Sequence, residues 1–147
     1  MIKLIISGVP QSKQSARFMI AGKDTDKPFI RSYQKKSVVD RQVNISWSIK
    51  KQLPKDFELL ENELFVDVTF IFPILKNMNK KLREEIESGR VVYKTTKPDL
   101  IDNLMKGLFD SMNGIVFKDD AQICKVASRK IFGKTPQTIV EIGEIKI

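Results

Sequence analysis

Hydrophobic and polar positions alternate most cleanly over residues 63–72. Leu64, Val66, Val68, Phe70 and Phe72 share one parity, while Glu63, Asp67 and Thr69 share the other. That period of two predicts a strand with one buried face, ended by Pro73. The opening run, residues 2–7, reads as a first strand closed by a Gly8-Val9-Pro10 turn. The period then lengthens. Val38, Val39, Val43, Ile45 and Ile49 recur at near-helical spacing ahead of Pro54, predicting a helix over about 36–52. The charged stretch Asn77 to Glu87 predicts a short exposed helix closed by Ser88-Gly89, and Val91 to Tyr93 a short strand. Ile101, Leu104, Met105, Leu108 and Met112 form one apolar stripe, which predicts a core-facing helix over about 100–112, stopped by Asn113-Gly114. Two strands, about 121–132 and 137–146, complete the chain. Residues 8–36 show no period and read as loop. Strands and helices mix without regular βαβ alternation, so the expected class is α+β.

At 147 residues the chain is expected to be one domain with a real core. Its 41% hydrophobic and 30% charged content fits a soluble globular protein. No apolar run approaches a membrane span, and the N-terminus is too short and alternating for a signal peptide. The single cysteine, Cys124, excludes an intrachain disulfide, and a cytoplasmic location is the expectation. Within the strand-like run Gln122 to Val126, Cys124 reads as a small core residue rather than a reactive thiol.

Charge changes the picture. The net charge is +8, and residues 8–36 concentrate Lys13, Arg17, Lys23, Lys27, Arg31, Lys35 and Lys36 against only Asp24 and Asp26. This is the footprint of a polyanion binder, nucleic acid before a membrane surface. The chain has no histidine, which excludes Ser-His-Asp and Cys-His catalysis, His-ligated zinc and an imidazole base. Any hydrolysis must run through carboxylates, lysine or a metal-bound water. No glycine-rich phosphate loop is present, so no nucleotide cofactor is expected.

Against this basic background, residues 97–120 gather Asp99, Asp102, Asp119 and Asp120 around Lys106. At about 100° per residue, Asp102 and Lys106 are i, i+4 neighbours within reach of each other. The Asn113-Gly114 turn and the apolar run to Phe117 should bring Asp119-Asp120 back beside that helix. Adjacent aspartates at a strand start point to opposite faces, so only one can face Asp102. Clustered carboxylates of this kind suit a hard divalent cation, which then meets a phosphate. A structural reading is also open: Asp99 as an N-cap, Asp102 in the first turn of the helix dipole, an Asp102–Lys106 ion pair, and Asp119-Asp120 as turn acids. The chain would then be a non-catalytic basic DNA-binding protein.

The run Lys97-Pro98-Asp99, Asp102-Asn103-Leu104-Met105-Lys106, Asp110-Ser111-Met112-Asn113-Gly114 and Phe117-Lys118-Asp119-Asp120-Ala121-Gln122 resembles the RusA family of Holliday junction resolvases, found in bacteria and their prophages. Gly8-Val9-Pro10-Gln11-Ser12-Lys13 is similar to that family's opening motif. The family usually has one residue between its first two aspartates; here there are two, Leu100 and Ile101. The resemblance implies a RusA-like mixed β-sheet with flanking helices over residues 1–147. It implies a homodimer dependent on Mg2+, with Mn2+ a possible substitute, that resolves four-way junctions by paired symmetric nicks during DNA recombination and repair. It assigns Asp99, Asp102 and Asp120 as metal ligands and, with Lys106, as catalytic residues, with Asp119 the lesser of its pair. Lys13, Arg17, Lys97 and Lys118 would contact DNA. A broader branched-DNA or flap nuclease is the nearest alternative.

Overall fold

The computed structural model describes residues 1–12, 17–21, 25–33 and 36–145. Its centre is a four-stranded sheet in the order β1-β6-β4-β5. The strands are β1 (Ile2–Ser7), β4 (Leu64–Pro73), β5 (Ile123–Gly133) and β6 (Gln137–Glu144). β6 pairs antiparallel with β1 and with β4, whereas β4 and β5 run parallel. A separate antiparallel hairpin joins β2 (Arg17–Ala21) to β3 (Phe29–Tyr33). That hairpin lies where the sequence predicted loop. Its strands are interrupted by charge, and Phe29 and Ile30 are exposed, so the sequence offers no clean alternation there.

The alternation over 63–72 acts as predicted. Leu64, Val66, Val68, Phe70 and Phe72 are all buried, and Val140, Ile142, Leu4 and Phe132 extend the same layer across the sheet. The helices close over it. α1 (Lys36–Gln52) contributes Ile49 and α2 (Lys80–Glu87) contributes Ile86. α3 (Lys106–Met112) adds Leu108 and Met112, and the turn beyond it adds Val116 and Phe117. α2 starts at Asn79, whose side chain accepts the Leu82 N–H, and it ends at Gly89 with φ +109°. Only a residue without a Cβ takes that conformation cheaply.

α1 and α3 are joined by polar bonds as well as packing. Ser46 Oγ donates to the Ser111 carbonyl at 2.9 Å and Gln42 Nε2 to the Asp110 carbonyl at 3.4 Å. At the far end of α1, the Gln52 amide both accepts from the Ile5 N–H and donates to the Ile5 carbonyl, each at 2.8 Å. This covers part of the β1 edge, where unpaired backbone groups would otherwise invite strand addition.

Three expectations change. The helix predicted over 100–112 is two segments: Leu100–Met105 is a wider π turn and α3 follows it. In the π turn the Leu104 N–H donates to the Asp99 carbonyl five residues back, at 3.1 Å. The wider turn rotates Ile101 out of the apolar stripe. It is 74% exposed, while Leu100 packs against the core. Cys124 is exposed rather than buried, because β5 is an edge strand whose register against β4 slips between Leu64 and Phe65. The strand predicted at Val91 to Tyr93 is a single antiparallel bridge, Tyr93 to Ile131.

The burial difference is measurable. Leu104→Ala should cost about 2–5 kcal/mol of unfolding free energy, the usual range for a large-to-small core change. Ile101→Ala should stay within about 0.5 kcal/mol, as surface changes do. Urea denaturation of both variants checks the assignment, and equal losses would contradict it.

Candidate active site along the β5 edge

The acidic residues lie on the connection that carries the chain from β4 to the parallel β5. Residues 91–98 of that connection run against the outer edge of β5. The Phe132 N–H donates to the Val92 carbonyl and the Lys94 N–H to the Lys130 carbonyl, both at 3.0 Å. Lys94 lies above the rings of Phe72 and Phe132, 5.2 and 5.5 Å from their centroids, and donates to Thr96 Oγ1 at 2.8 Å. Lys130 reaches from β5 to the Thr96 and Pro98 carbonyls, each at 2.8 Å. One ammonium therefore grips the backbone on both sides of Lys97, immediately before Asp99. The Lys97–Pro98 peptide is cis.

Asp99 occupies the N-cap position of the π turn with an extended backbone, but its side chain caps nothing. Asp102 and Lys106 are both exposed, and among the described residues no ion pair joins them. The ion pair expected between them is thus not made. The Asp99 and Asp102 carboxylates stand open to solvent.

The Asp119-Asp120 pair divides its labour. A 3-10 turn, Asp120–Gln122, begins at Asp119, whose carboxylate accepts the Ala121 N–H at 3.2 Å. The Asp119 N–H donates to Gln122 Oε1 at 3.0 Å, completing a reciprocal capping box. Gln122 Nε2 in turn donates to the Leu60 carbonyl at 2.9 Å and the Asn62 carbonyl at 3.2 Å. Asp119 is therefore a structural cap. The Asp120 N–H donates to Asn113 Oδ1 at 3.0 Å, and the Gly114 N–H donates to the Phe117 carbonyl at 2.8 Å. The Asn113-Gly114 turn does bring Asp120 back to the end of α3, with Gly114 at φ +77°.

Electrostatics separates the two carboxyls as well. Hydrogen bonding from the Ala121 N–H and with Asp120 holds the Asp119 carboxyl below the usual carboxylate range. The bond shared with Asp119, partial burial, and the like charges of Asp119 and Asp110 push the Asp120 carboxyl up. Negative charge at Asp120 is thus opposed by its carboxylate neighbours, a situation that a nearby cation relieves.

Lys118 pairs with Glu61 at 2.7 Å on the surface and holds the Glu61 carboxyl down. Such an exposed pair is weak enough to exchange for a phosphate. Lys97 is exposed. Lys13 and the side chain of Arg17 lie outside the described residues. Among the described residues no three of His, Cys, Asp and Glu gather at metal-holding spacing. The donor chemistry nevertheless suits a hard divalent cation. The segment offers carboxylate oxygens, the chain has no histidine, and Asp120 carries charge opposed by its neighbours. Asp110, Asn113, Gln122 and Lys130 went unassigned in the sequence reading. Lys130 in particular gave no signal, because its partners are backbone carbonyls more than thirty residues away.

A model of the family described as Endodeoxyribonuclease RusA matches residues 7–143. The chain belongs to that family. It is also similar to the uncharacterized protein YqaN of Bacillus subtilis (strain 168), with 33% identity over 89 residues. That alignment covers 59% of this chain and 61% of the relative.

Removing the Lys130 grip should loosen the approach to Asp99. Charge-assisted hydrogen bonds contribute roughly 1.5–3 kcal/mol each when shielded, and partial exposure of Lys130 reduces that. Lys130→Met is expected to cost about 1–2 kcal/mol in all and to raise amide exchange over residues 94–99, leaving β4 protected. Unchanged exchange in that segment would show that the bonds do not hold it.

Proposed function

We propose that this protein is a magnesium-dependent endodeoxyribonuclease that resolves four-way DNA junctions as a homodimer, by paired nicks, during recombination and repair. One observation carries the reading beyond family membership. In a chain of net charge +8, Asp99 and Asp102 remain exposed and unpaired among the described residues, and a third carboxyl, Asp120, is pushed up by its acidic neighbours Asp119 and Asp110. A purely DNA-binding surface gains nothing from such acids, which repel phosphate.

Asp99, Asp102 and Asp120 would hold the cation, with Asp110 close enough to Asp120 to add its charge. A bound divalent ion supplies charge neutralisation and an activated water. The protein's own groups do the rest. Lys130 fixes the segment leading to Asp99. Asn113 anchors the Asp120 backbone, and Asp119 is withdrawn into its cap. Lys106, exposed one turn after Asp102, offers a positive charge to a phosphate whose negative charge grows in the transition state. Lys97 and Lys118, with Lys13 and Arg17, would contact phosphates along the arms, giving binding that weakens steeply with salt. A nearly two-fold junction cut symmetrically calls for two sites related by a dyad, hence the homodimer.

Asp102→Asn and Asp120→Asn should lower junction cleavage by about 10²–10³-fold or more, the scale for losing one preorganised charge-stabilising group. Junction binding should be kept or improved. A gel assay with synthetic four-way junction, flap and linear duplex measures both. Undiminished cleavage by both variants would eliminate the assigned site, and equal cutting of all three substrates would replace junction resolution with a broader nuclease.

Chelation should abolish cleavage by the wild-type protein, with recovery on adding Mg2+ or Mn2+. Persistent cutting in chelator would exclude the metal-dependent reading.

A further inference from the structure

On the outer face of α1 lies a groove of about 950 Å³. Trp47 stands in it 59% exposed and Val43 48% exposed. The helix predicted over 36–52 thus places two large apolar residues in solvent rather than in the core. Lys50, Lys51 and Lys55 line the same groove, and no aspartate or glutamate does. The Lys50 ammonium lies 5.8 Å from the centre of the indole. The opposite wall is Gly114 and Ile115, from the turn whose Asn113 holds the Asp120 backbone.

We propose that this groove is a subsite for an unstacked nucleotide strand, with a base on Trp47 and phosphates on Lys50, Lys51 and Lys55. An exposed indole with cations around it is the pairing that single-stranded nucleic acid recognises: every base has a π-face to stack, and every linkage has a charge to neutralise. A continuous duplex cannot use it, because its bases already stack on each other. A branch point or a frayed strand can. A second copy of the chain is a poor occupant. An isologous contact sets each patch against itself, which would oppose six ammonium groups with no carboxylate in the groove to offset them. The proposal rests on DNA being the substrate, and it adds a place that distinguishes branched or single-stranded DNA from plain duplex.

Trp47 is the only tryptophan of the chain, so its fluorescence reports this groove alone. The full-length protein is titrated, in chelator so that no strand is cut, with a short oligothymidylate, a four-way junction and a blunt duplex. Oligothymidylate and junction should quench the emission saturably, and blunt duplex should leave it nearly unchanged. Trp47→Ala should weaken oligothymidylate binding, followed by anisotropy, by about 5- to 150-fold, and Trp47→Phe by only a few-fold. Replacing Lys50, Lys51 and Lys55 together by Gln should lower the salt slope of that binding by about two. Binding by anisotropy without any change in tryptophan emission would overturn the proposal. So would a Trp47→Ala variant that shifts in sedimentation from dimer to monomer while keeping its DNA affinity, since the groove would then be a contact between copies. Quenching by a protein that fails to cut junctions in magnesium would leave the subsite standing and remove the nuclease reading. Normal cleavage with no quenching would do the reverse.

Discussion

The parallel pairing of β4 with β5 governs the rest of the molecule. Antiparallel neighbours can be joined by a tight turn, but parallel ones need a long crossover. Here that crossover is residues 74–122, and it contains α2, the π turn, α3 and every acidic residue of the candidate site. Because it must return to the start of β5, the chain delivers Asp120 at the strand's beginning. Because residues 91–98 run along the strand's outer edge, it delivers Asp99 beside the same strand. One β-strand edge thus organises side chains separated by some twenty residues. The edge would otherwise be a liability, and the segment carrying Asp99 covers part of it.

Within that frame, hydrogen bonding decides which carboxylates are free. Asp119 is committed by Ala121 and Gln122, and Gln122 is tied to the backbone at Leu60 and Asn62. Asp99 sits where a cap would be, yet only its backbone carbonyl accepts, from the Leu104 N–H, and its carboxylate makes no capping bond. Lys130, at the approach to Asp99, donates to the Thr96 and Pro98 carbonyls rather than to a carboxylate. Elsewhere some acids are paired, as Asp67 with Arg129 at 2.8 Å and Glu61 with Lys118. At the candidate site, by contrast, no ion pair among the described residues joins Asp99 or Asp102 to a cation.

Much of the fold was legible. The period-two run at 63–72 became a central strand with its five apolar residues buried, and α1 and α2 lie where their spacing and caps placed them. The misses share one cause. Ile101 and Leu100 are adjacent apolar residues, and a period of 3.6 selects Ile101; the π turn selects Leu100. Cys124 looks like core by composition and is exposed by its position on an edge. The β2–β3 hairpin is short and interrupted by charge, with Phe29 and Ile30 exposed, so it leaves no clean alternation. Each depends on which neighbours a segment meets, and local spacing does not encode neighbours.

By itself the sequence determined the alternation that makes the sheet, the exclusion of imidazole chemistry, the excess of positive charge, and the order in which Asp99, Asp102, Lys106 and Asp120 occur. Their family resemblance followed from that order, and the match over residues 7–143 agrees with it. Only the tertiary structure decided which aspartate is a cap, which cation is a clamp, and that Trp47 faces a lysine-lined groove. These outcomes turn on hydrogen bonds and packing between residues far apart in the chain, such as Gln122 with Leu60 and Lys130 with Pro98. A residue's type states what bonds it can make, and the fold states which partner is within reach.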